Sequence, residues 1–363
     1  MSLVDVIVLC TFSPLDMKQF SAVALSLALL EAAQAVRFLG RVNPATRELT
    51  WAGTGVAFSF SGSSATIDFE SVTGTNSVLL TVDGKSTGIL NVNTSSISTP
   101  AGLANGDHTV FLRKRSEALF GSIFVGNVTT DGTFGIDPRY NRKIEFIGDS
   151  ITVGYGMDGV FPCTNTAEVE NNPNTYAVLA ANSLKADYDI VAWSGIGLVR
   201  NTAYGSPGGP TMVSRWTKYG AQDADNSYTF PSSETPDAVV IALGTNDFSV
   251  DNNNRPVLDV GNFTSATVSF IRTVQTHYPK AQFFLVTSPM LGDGYPAGEA
   301  QHTAQTKAFT DAAAQLNGTK VHVVDWPSQG SDVGCDYHPN IATNAAEAPI
   351  LASAIAEALG WWC

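Results

Sequence analysis

Residues 144–152 read Ile-Glu-Phe-Ile-Gly-Asp-Ser-Ile-Thr. The apolar run that opens this stretch has the length of a buried β-strand, and Ser150 stands where such a strand would turn into a helix. Beyond Tyr140, further short apolar runs alternate with segments long enough for helices. This alternation predicts a parallel sheet that is covered by helices on both faces.

The elements predicted in this half follow the same alternation. The predicted strands cover residues 144–147, 190–193, 238–243, 283–287 and 321–325. The predicted helices cover residues 175–184, 264–277, 304–316 and 345–359. Because ligands bind at the carboxyl ends of the strands in open parallel sheets, the residues just after each strand are the candidates for chemistry.

The N-terminal half has a different period. From residue 41 to residue 133 apolar and polar residues alternate, as at Val56, Phe58 and Phe60, and Asp-Gly and Asn-Gly turn signals separate the runs. No long amphipathic pattern interrupts them. This half is predicted to be an all-β sandwich that ends near Asp137-Pro138.

The first 35 residues have the pattern of a targeting segment. After Met17 come a lysine, an apolar stretch over residues 20–30 and Ala33-Gln-Ala35, a small-x-small cleavage pattern. This predicts a secretory signal peptide and a secreted protein, with residues 1–16 as a mis-called extension; a buried core helix is the alternative. The predicted organisation is a signal peptide over 1–35, a β-sandwich over 36–138 and an α/β domain over 139–363.

Composition and charge exclude several classes of protein. A hydrophobic fraction of 44% with 15% charged residues is too apolar for a disordered chain. Twenty Lys and Arg against 33 Asp and Glu give a net charge of -13, which repels phosphate backbones and anionic lipid. We therefore expect neither nucleic-acid nor membrane partners.

Three segments after predicted strands carry groups suited to chemistry. Ser150 has its hydroxyl at the sheet edge and its N–H at a helix N-terminus, which favours a nucleophile; a helix N-cap is the alternative. Gly195 and Gly197 let backbone N–H groups approach a ligand, or serve only a tight turn. Asn246 offers a carboxamide donor to an oxyanion, or ties its own loop.

A serine nucleophile needs a base, and the sequence has five histidines. His108 belongs to the β half, His277 and His302 fall in helical segments, and His322 lies at the amino end of a strand. Elimination leaves His338, which follows the last predicted strand and precedes the last helix. Its alternative role is that of a loop histidine with a structural hydrogen bond.

These blocks resemble a known family. Gly148-Asp-Ser150, the glycine block, Gly244-Thr-Asn-Asp247 and His338 resemble the successive blocks of the SGNH (GDSL-type) hydrolases. With the β half and the run Gly334-Cys-Asp-Tyr-His-Pro-Asn340, the chain more narrowly resembles carbohydrate esterase family 2. The resemblance implies a jelly-roll sandwich joined to a flavodoxin-like three-layer SGNH domain. It also implies a serine esterase that removes O-acetyl groups from plant cell-wall polysaccharide, such as xylan and glucomannan, through an acyl-enzyme.

The resemblance implies a role for each site residue. Ser150 would attack the acetyl carbonyl, and His338 would accept its proton. The N–H groups of Ser150 and Gly197 and the side chain of Asn246 would form the oxyanion hole, with Gly197 favoured over Gly195. The usual Asp-x-x-His would put the orienting carboxylate at position 335, which is cysteine here. Asp336 is therefore assigned the orienting role, while Asp332 or a backbone carbonyl remains an alternative.

Further expectations concern the walls of the site and its partners. We expect a disulfide between Cys163 and Cys335, with Cys335–Cys363 as the rival pairing. Candidates for stacking against sugar rings are Tyr204, Trp216 and Trp326.

No metal site or cofactor is expected. The expected partner is an acetylated polysaccharide or oligosaccharide, and the protein is expected to be a monomer. The alternatives are an SGNH esterase for another acyl ester, or a carbohydrate-binding protein with an inactive hydrolase domain.

Overall fold

The computed structural model describes residues 36–204, 209–250 and 255–361. The predicted signal peptide and Cys363 lie outside these ranges. Within them the chain forms an antiparallel β-sandwich followed by an α/β domain with a parallel sheet, so the predicted two-domain fold class is confirmed.

The N-terminal domain is built from two antiparallel sheets. Its described strands are β1 Val36–Leu39, β2 Glu48–Leu49, β3 Gly55–Gly62, β4 Ala65–Gly74, β5 Val78–Val82, β6 Lys85–Ile89, β7 Ser96–Ser98, β8 Gly106–Lys114, β9 Gly121–Thr130 and β10 Thr133–Phe134. One sheet has the order β1-β3-β8-β5-β6, with β10 also pairing with β3, and the other has the order β2-β9-β4-β7.

The core of the sandwich lies between these sheets. Val56, Phe58 and Phe60 of β3 are all buried, as the alternating pattern predicts, and they share one apolar cluster with Ile67 and Ile123 of the other sheet. Since successive side chains of a strand point to opposite faces, a period of two places every second residue in this core.

The C-terminal domain alternates strands and helices. Its described strands are β11 Arg142–Gly148, β12 Ala186–Ala192, β13 Ala238–Ala242, β14 Gln282–Val286 and β15 Val321–Val324. Its described α-helices are α1 Ser150–Val153, α2 Tyr176–Ser183, α3 Met212–Arg215, α4 Thr245–Phe248, α5 Val260–His277, α6 Gln301–Gln315 and α7 Ile341–Leu359.

The parallel sheet places all five carboxyl strand ends at one edge. Its order is β12-β11-β13-β14-β15, and each neighbouring pair is parallel. This is the flavodoxin-like order, in which the chain reverses its direction of winding at β11. The crevice at that switch point opens directly beyond Gly148 and Ser150, where the sequence predicts the nucleophile.

Three helices, α5, α6 and α7, begin earlier than the apolar periodicity predicts, and a polar side chain caps two of them. Asp259 accepts hydrogen bonds from the backbone N–H groups of Gly261 and Asn262, so α5 begins at Val260. Asn340 caps α7 in the same way, by accepting from Thr343 N at 3.0 Å. No helix in the described ranges is long and apolar enough to span a bilayer.

The two domains share a buried interface. Trp51 of the sandwich is fully buried and belongs to an apolar cluster of the α/β domain. Arg41 of the sandwich forms an ion pair with Glu145 on β11, and neither side chain is exposed to solvent. The sandwich is therefore packed directly against the strand that ends at the nucleophile.

Candidate active site

The nucleophile is presented by a tight strand-to-helix turn. Asp149, not Ser150, is the N-cap of α1: its Oδ1 accepts from Ile151 N at 3.0 Å. A Cβ at position 148 would lie 2.0 Å from Oγ1 of Thr152, so only glycine fits where β11 turns into α1. With the cap supplied by its neighbour, Ser150 is free to direct its hydroxyl into the crevice, and its N–H is one of the orphan donors of the helix start.

The base lies against this serine. The imidazole Nε2 of His338 is 2.8 Å from Oγ of Ser150, and its Nδ1 is 3.1 Å from the main-chain oxygen of Asp336. The ring of Tyr155 covers the imidazole, with ring centroids 4.1 Å apart. A carbonyl oxygen can only accept a hydrogen bond, so Nδ1 carries the hydrogen and donates that bond. Nε2 is then the unprotonated nitrogen, which accepts from the serine hydroxyl.

The other histidines have partners elsewhere, which supports the elimination that singled out His338. The contacts are His108 with Asp83, His277 stacked on Phe230, His302 with Asp325 and His322 with Gln282.

The structure corrects the role predicted for Asp336. Its carboxylate does not face His338; Oδ2 accepts from Tyr155 Oη at 2.9 Å and from Asn165 N at 3.2 Å. Asp336 has the left-handed conformation φ 50°, ψ 37°, which directs its carbonyl, rather than its side chain, to the imidazole. The partners of the two ring nitrogens of His338 are the Asp336 carbonyl and the Ser150 hydroxyl, so the carboxylate of Asp332, the other candidate, does not orient the imidazole. The arrangement is thus a Ser–His dyad oriented by a backbone carbonyl, the alternative left open by the sequence.

The structure also corrects the choice between the two glycines. The N–H of Gly197 donates to Oδ1 of Asn201 at 3.1 Å and is not free for an oxyanion. Gly195 lines the same cleft as Ser150 and Asn246, and its N–H makes no hydrogen bond within the described ranges. Its φ of 78° favours glycine, so this turn brings a bare backbone N–H to the cleft. Gly195 therefore replaces Gly197 as the candidate donor.

Asn246 completes the set of donors. It lies in the short helix α4, which follows β13, and it lines the cleft. Its Nδ2 donates to the carbonyl of Ile196 at 2.8 Å and lies 3.4 Å from Oδ2 of Asp149. The carboxamide is therefore held between the glycine block and the turn that bears Ser150. Ser150, Gly195 and Asn246 line the same cleft, so Ser150 N–H, Gly195 N–H and Asn246 Nδ2 are the candidate donors of an oxyanion hole.

Asn246→Ala is expected to lower kcat by about 10²- to 10³-fold, because it removes one preorganised donor from the developing oxyanion. The measurement is steady-state hydrolysis of 4-nitrophenyl acetate. Asn201→Ala is the matched control, since it also removes a carboxamide, but one that accepts a hydrogen bond from the N–H of Gly197. A kcat for Asn246→Ala equal to that of the control would contradict the assignment.

Burial lowers the pKa of His338 to about 4, because the charged imidazolium loses part of its solvation in the cleft. A base must be neutral to accept a proton, so we expect kcat/KM to stay level through neutral pH and to fall only as the pH approaches 4. The measurement is a pH–rate profile of acetate release in a pH-stat.

The buried carboxyl of Asp149 calls for a control, because burial raises its pKa to about 7. Asp149→Asn removes that titration and leaves the His338 inflection in place. A fall of kcat/KM near 6.5, the ordinary histidine value, in both proteins would contradict the low pKa.

The cleft around the dyad is wide and carries exposed rings. Its volume is about 1270 Å³, which exceeds the usual size of a small-molecule pocket. Four aromatic rings line it and are exposed: Phe161, Tyr204, Tyr295 and Tyr337. Tyr204 was a predicted stacking candidate and does line the cleft. The prediction was wrong for Trp216 and Trp326, which are 0% and 1% exposed because they pack into the cores.

The predicted disulfide between Cys163 and Cys335 is confirmed. It joins the loop after α1 to the turn just before His338. The two loops that form this side of the cleft are therefore covalently linked. In the described part of the chain, no group of three or more His, Cys, Asp or Glu side chains is arranged to hold a metal ion.

Several residues around the dyad were missed by sequence reasoning. Asp247 accepts hydrogen bonds from the N–H groups of Leu198, Val199 and Arg200 and so fixes the loop that follows Gly195. Asp247 directly follows Asn246, just beyond the predicted strand 238–243, and this position could have identified it from the sequence. Tyr155, whose ring covers His338, gave no such signal, because its contact depends on tertiary packing.

Each of the two domains matches a known protein family. The family described as "Carbohydrate esterase 2 N-terminal" matches residues 38–138, and the "GDSL-like Lipase/Acylhydrolase family" matches residues 146–346. The chain is 30% identical over 333 residues to an acetylxylan esterase / glucomannan deacetylase of Cellvibrio japonicus, covering 88% of each protein. It is 35% identical over 335 residues to the cellulase/esterase CelE of Acetivibrio thermocellus, covering 88% of this chain but only 38% of CelE.

A solved structure agrees with this assignment over nearly the whole chain. The crystal structure of a carbohydrate esterase family 2 enzyme plus carbohydrate-binding domain from Corynascus thermopiles (Myceliophthora fergusii) is 60% identical, with a TM-score of 0.87. The match covers 90% of this chain and 100% of that one. The sandwich, the GDSL domain and the order of the two are all shared, and the chain therefore belongs to carbohydrate esterase family 2.

Proposed function

We propose that the protein is a secreted serine esterase that removes O-acetyl groups from plant cell-wall polysaccharide, such as xylan and glucomannan. The observation that carries the proposal is the 2.8 Å contact between Ser150 Oγ and His338 Nε2 in the floor of the wide cleft. A carbohydrate-binding protein with an inactive hydrolase domain would have no need of this pair or of the donors in front of it.

The geometry supports a two-step mechanism. Ser150 Oγ attacks the acetyl carbon as its proton passes to Nε2 of His338, and the three donors stabilise the tetrahedral oxyanion. The intermediate collapses to acetyl-Ser150, and the sugar oxygen leaves with the proton from His338. Water then attacks the acetyl group in the same way, which releases acetate and restores the serine.

The cleft favours a carbohydrate ester over a lipid ester. Its exposed rings present flat apolar faces edged with hydroxyl groups, as at Tyr204, Tyr295 and Tyr337, and such rings stack against sugar rings. The cleft is also too wide for an acetyl group alone. The name of the Cellvibrio japonicus relative, acetylxylan esterase / glucomannan deacetylase, supports the same substrate class.

Secretion is supported by two features. Residues 17–35 have the pattern of a signal peptide. The disulfide beside the base needs an oxidising compartment to form and persist.

The experiment is acetate release from acetylated xylan, acetylated glucomannan and acetylated pectin, with wild-type protein and Ser150→Ala. We expect the wild type to release acetate from xylan and glucomannan and the variant to release none. Release from pectin alone would reassign the protein to another acyl ester. Equal rates with the two proteins would end the esterase proposal.

A further inference from the structure

The loop between β8 and β9 of the sandwich reaches the catalytic edge of the other domain. It carries Glu117, whose side chain is 1% exposed. Oε2 of Glu117 accepts a hydrogen bond from the backbone N–H of Ser194 at 2.9 Å. Ser194 immediately precedes Gly195, so a carboxyl group of the sandwich holds the peptide next to the candidate oxyanion donor.

The same loop is linked to the base on the other side of the site. The N–H of Glu117 donates to Oε2 of Glu170 at 2.6 Å, and Oε1 of Glu170 accepts from Nδ2 of Asn165 at 2.7 Å. The backbone N–H of Asn165 in turn donates to the carboxylate of Asp336 at 3.2 Å. The carbonyl of Asp336 faces His338. One loop of the sandwich is thus linked by hydrogen bonds to two turns: the Ser194-Gly195 turn, which carries the candidate oxyanion donor, and the turn at Asp336, which orients the base.

The sandwich domain also holds this loop, through the last residue of β8. The side-chain nitrogen Nζ of Lys114 is fully buried and donates to the carbonyl oxygens of Ser116 and Glu117 at 2.7 and 2.9 Å. Burying a polar group in this way is costly unless it is hydrogen-bonded. These hydrogen bonds hold Glu117 in one position. The bond between Glu117 and Ser194 N–H in turn restricts the position of Ser194.

We propose that Glu117 is a positioning residue for ester hydrolysis, through which the sandwich domain completes the oxyanion hole. Gly195 follows Ser194 in a left-handed turn, with no side chain to limit rotation of the peptide between them. The bond from Ser194 to Glu117 limits that rotation and aims the Gly195 N–H at the acetyl oxygen. The inference rests on the proposed hydrolysis at Ser150.

The test compares Glu117→Ala with Glu117→Gln, whose amide oxygen can still accept from Ser194. With 4-nitrophenyl acetate, Glu117→Ala is expected to lower kcat by about 10- to 100-fold with KM changed by less than about twofold, because a small displacement of a catalytic donor acts on the transition state. Glu117→Gln is expected to recover most of the kcat. Glu117→Met, which keeps the length without an oxygen acceptor, is expected to show the same loss and replaces alanine if that variant does not fold.

Arg37→Ala is the matched control for the domain interface. Arg37 of the sandwich pairs with Asp137 and with Asp187, which lies near the amino end of β12, at the edge of the sheet away from the dyad. This variant is expected to lower the unfolding temperature and to leave kcat unchanged. Equal kcat in Glu117→Ala and Arg37→Ala, or a Glu117→Gln variant as slow as Glu117→Met, would overturn the inference. If wild type and Ser150→Ala are equally active, the proposed function itself fails.

Discussion

Ser150→Ala is expected to lower kcat/KM for 4-nitrophenyl acetate by about 10⁴-fold or more, because it removes the atom that forms the acyl-enzyme. His338→Ala should cost about as much, since the two side chains act as one unit across the 2.8 Å contact. For the same reason, the double variant should be scarcely slower than either single one. Steady-state kinetics on the purified variants gives all three values.

Ser183→Ala serves as the control for the loss of a hydroxyl group. Ser183 is also a serine of a helix in the α/β domain, but it bonds the carbonyl of Ala180 at the end of α2, outside the cleft. Its kcat/KM should match that of the wild type. If the Ser150→Ala and Ser183→Ala proteins hydrolyse the ester equally fast, another group is the nucleophile.

Arg41→Ala is expected to lower the free energy of unfolding by about 3–5 kcal/mol, because it leaves a buried carboxylate without its partner. Nη2 of Arg41 lies 3.0 Å from both carboxylate oxygens of Glu145. Trp216 Nε1 and Tyr278 Oη also donate to Glu145, at 2.6 and 3.1 Å, but neither carries a positive charge. Urea unfolding, followed by tryptophan fluorescence, measures the loss.

Arg139→Ala is the exposed counterpart of this variant. Arg139 pairs with Asp137, but its side chain is 60% exposed, so we expect a change of about 0–1 kcal/mol. Replacing both members of the buried pair, as in Arg41→Met with Glu145→Leu, should recover much of the stability lost by Arg41→Ala. A loss in Arg41→Ala no larger than that in Arg139→Ala would show that the ion pair does not hold the domains together.

Much of the fold could be predicted because it depends on local patterns. Alternating Val56, Phe58 and Phe60 indicate a half-buried strand, and the short apolar runs after Tyr140 indicate a parallel sheet. Each of the five predicted strands overlaps a strand of the structure. Because the carboxyl ends of parallel strands share one edge, this placement also predicts that Ser150, Asn246 and His338 come together.

The parts of the site that were missed depend on backbone conformation and on distant contacts. Ser194-Gly-Ile-Gly197 contains two glycines, and the sequence cannot show that Asn201 occupies the N–H of Gly197. Aspartate adopts the left-handed conformation more often than most residues, but the sequence does not show which aspartate does so. The carboxylate of Asp336, rather than its carbonyl, was therefore assigned to the base. Glu117 lies in the other domain, and only the packing of the two domains brings it to Ser194.

The orientation of His338 by a main-chain carbonyl is tested most directly by kcat/KM of Asp336→Asn. Asparagine adopts the left-handed conformation readily and keeps a side-chain oxygen for Tyr155, so the carbonyl should stay in place. We predict a kcat/KM within about tenfold of the wild type, since the atom that faces Nδ1 is unchanged. A loss of about 10⁴-fold, the effect of the same substitution in a Ser-His-Asp triad, would show that the carboxylate orients the base and would contradict this account.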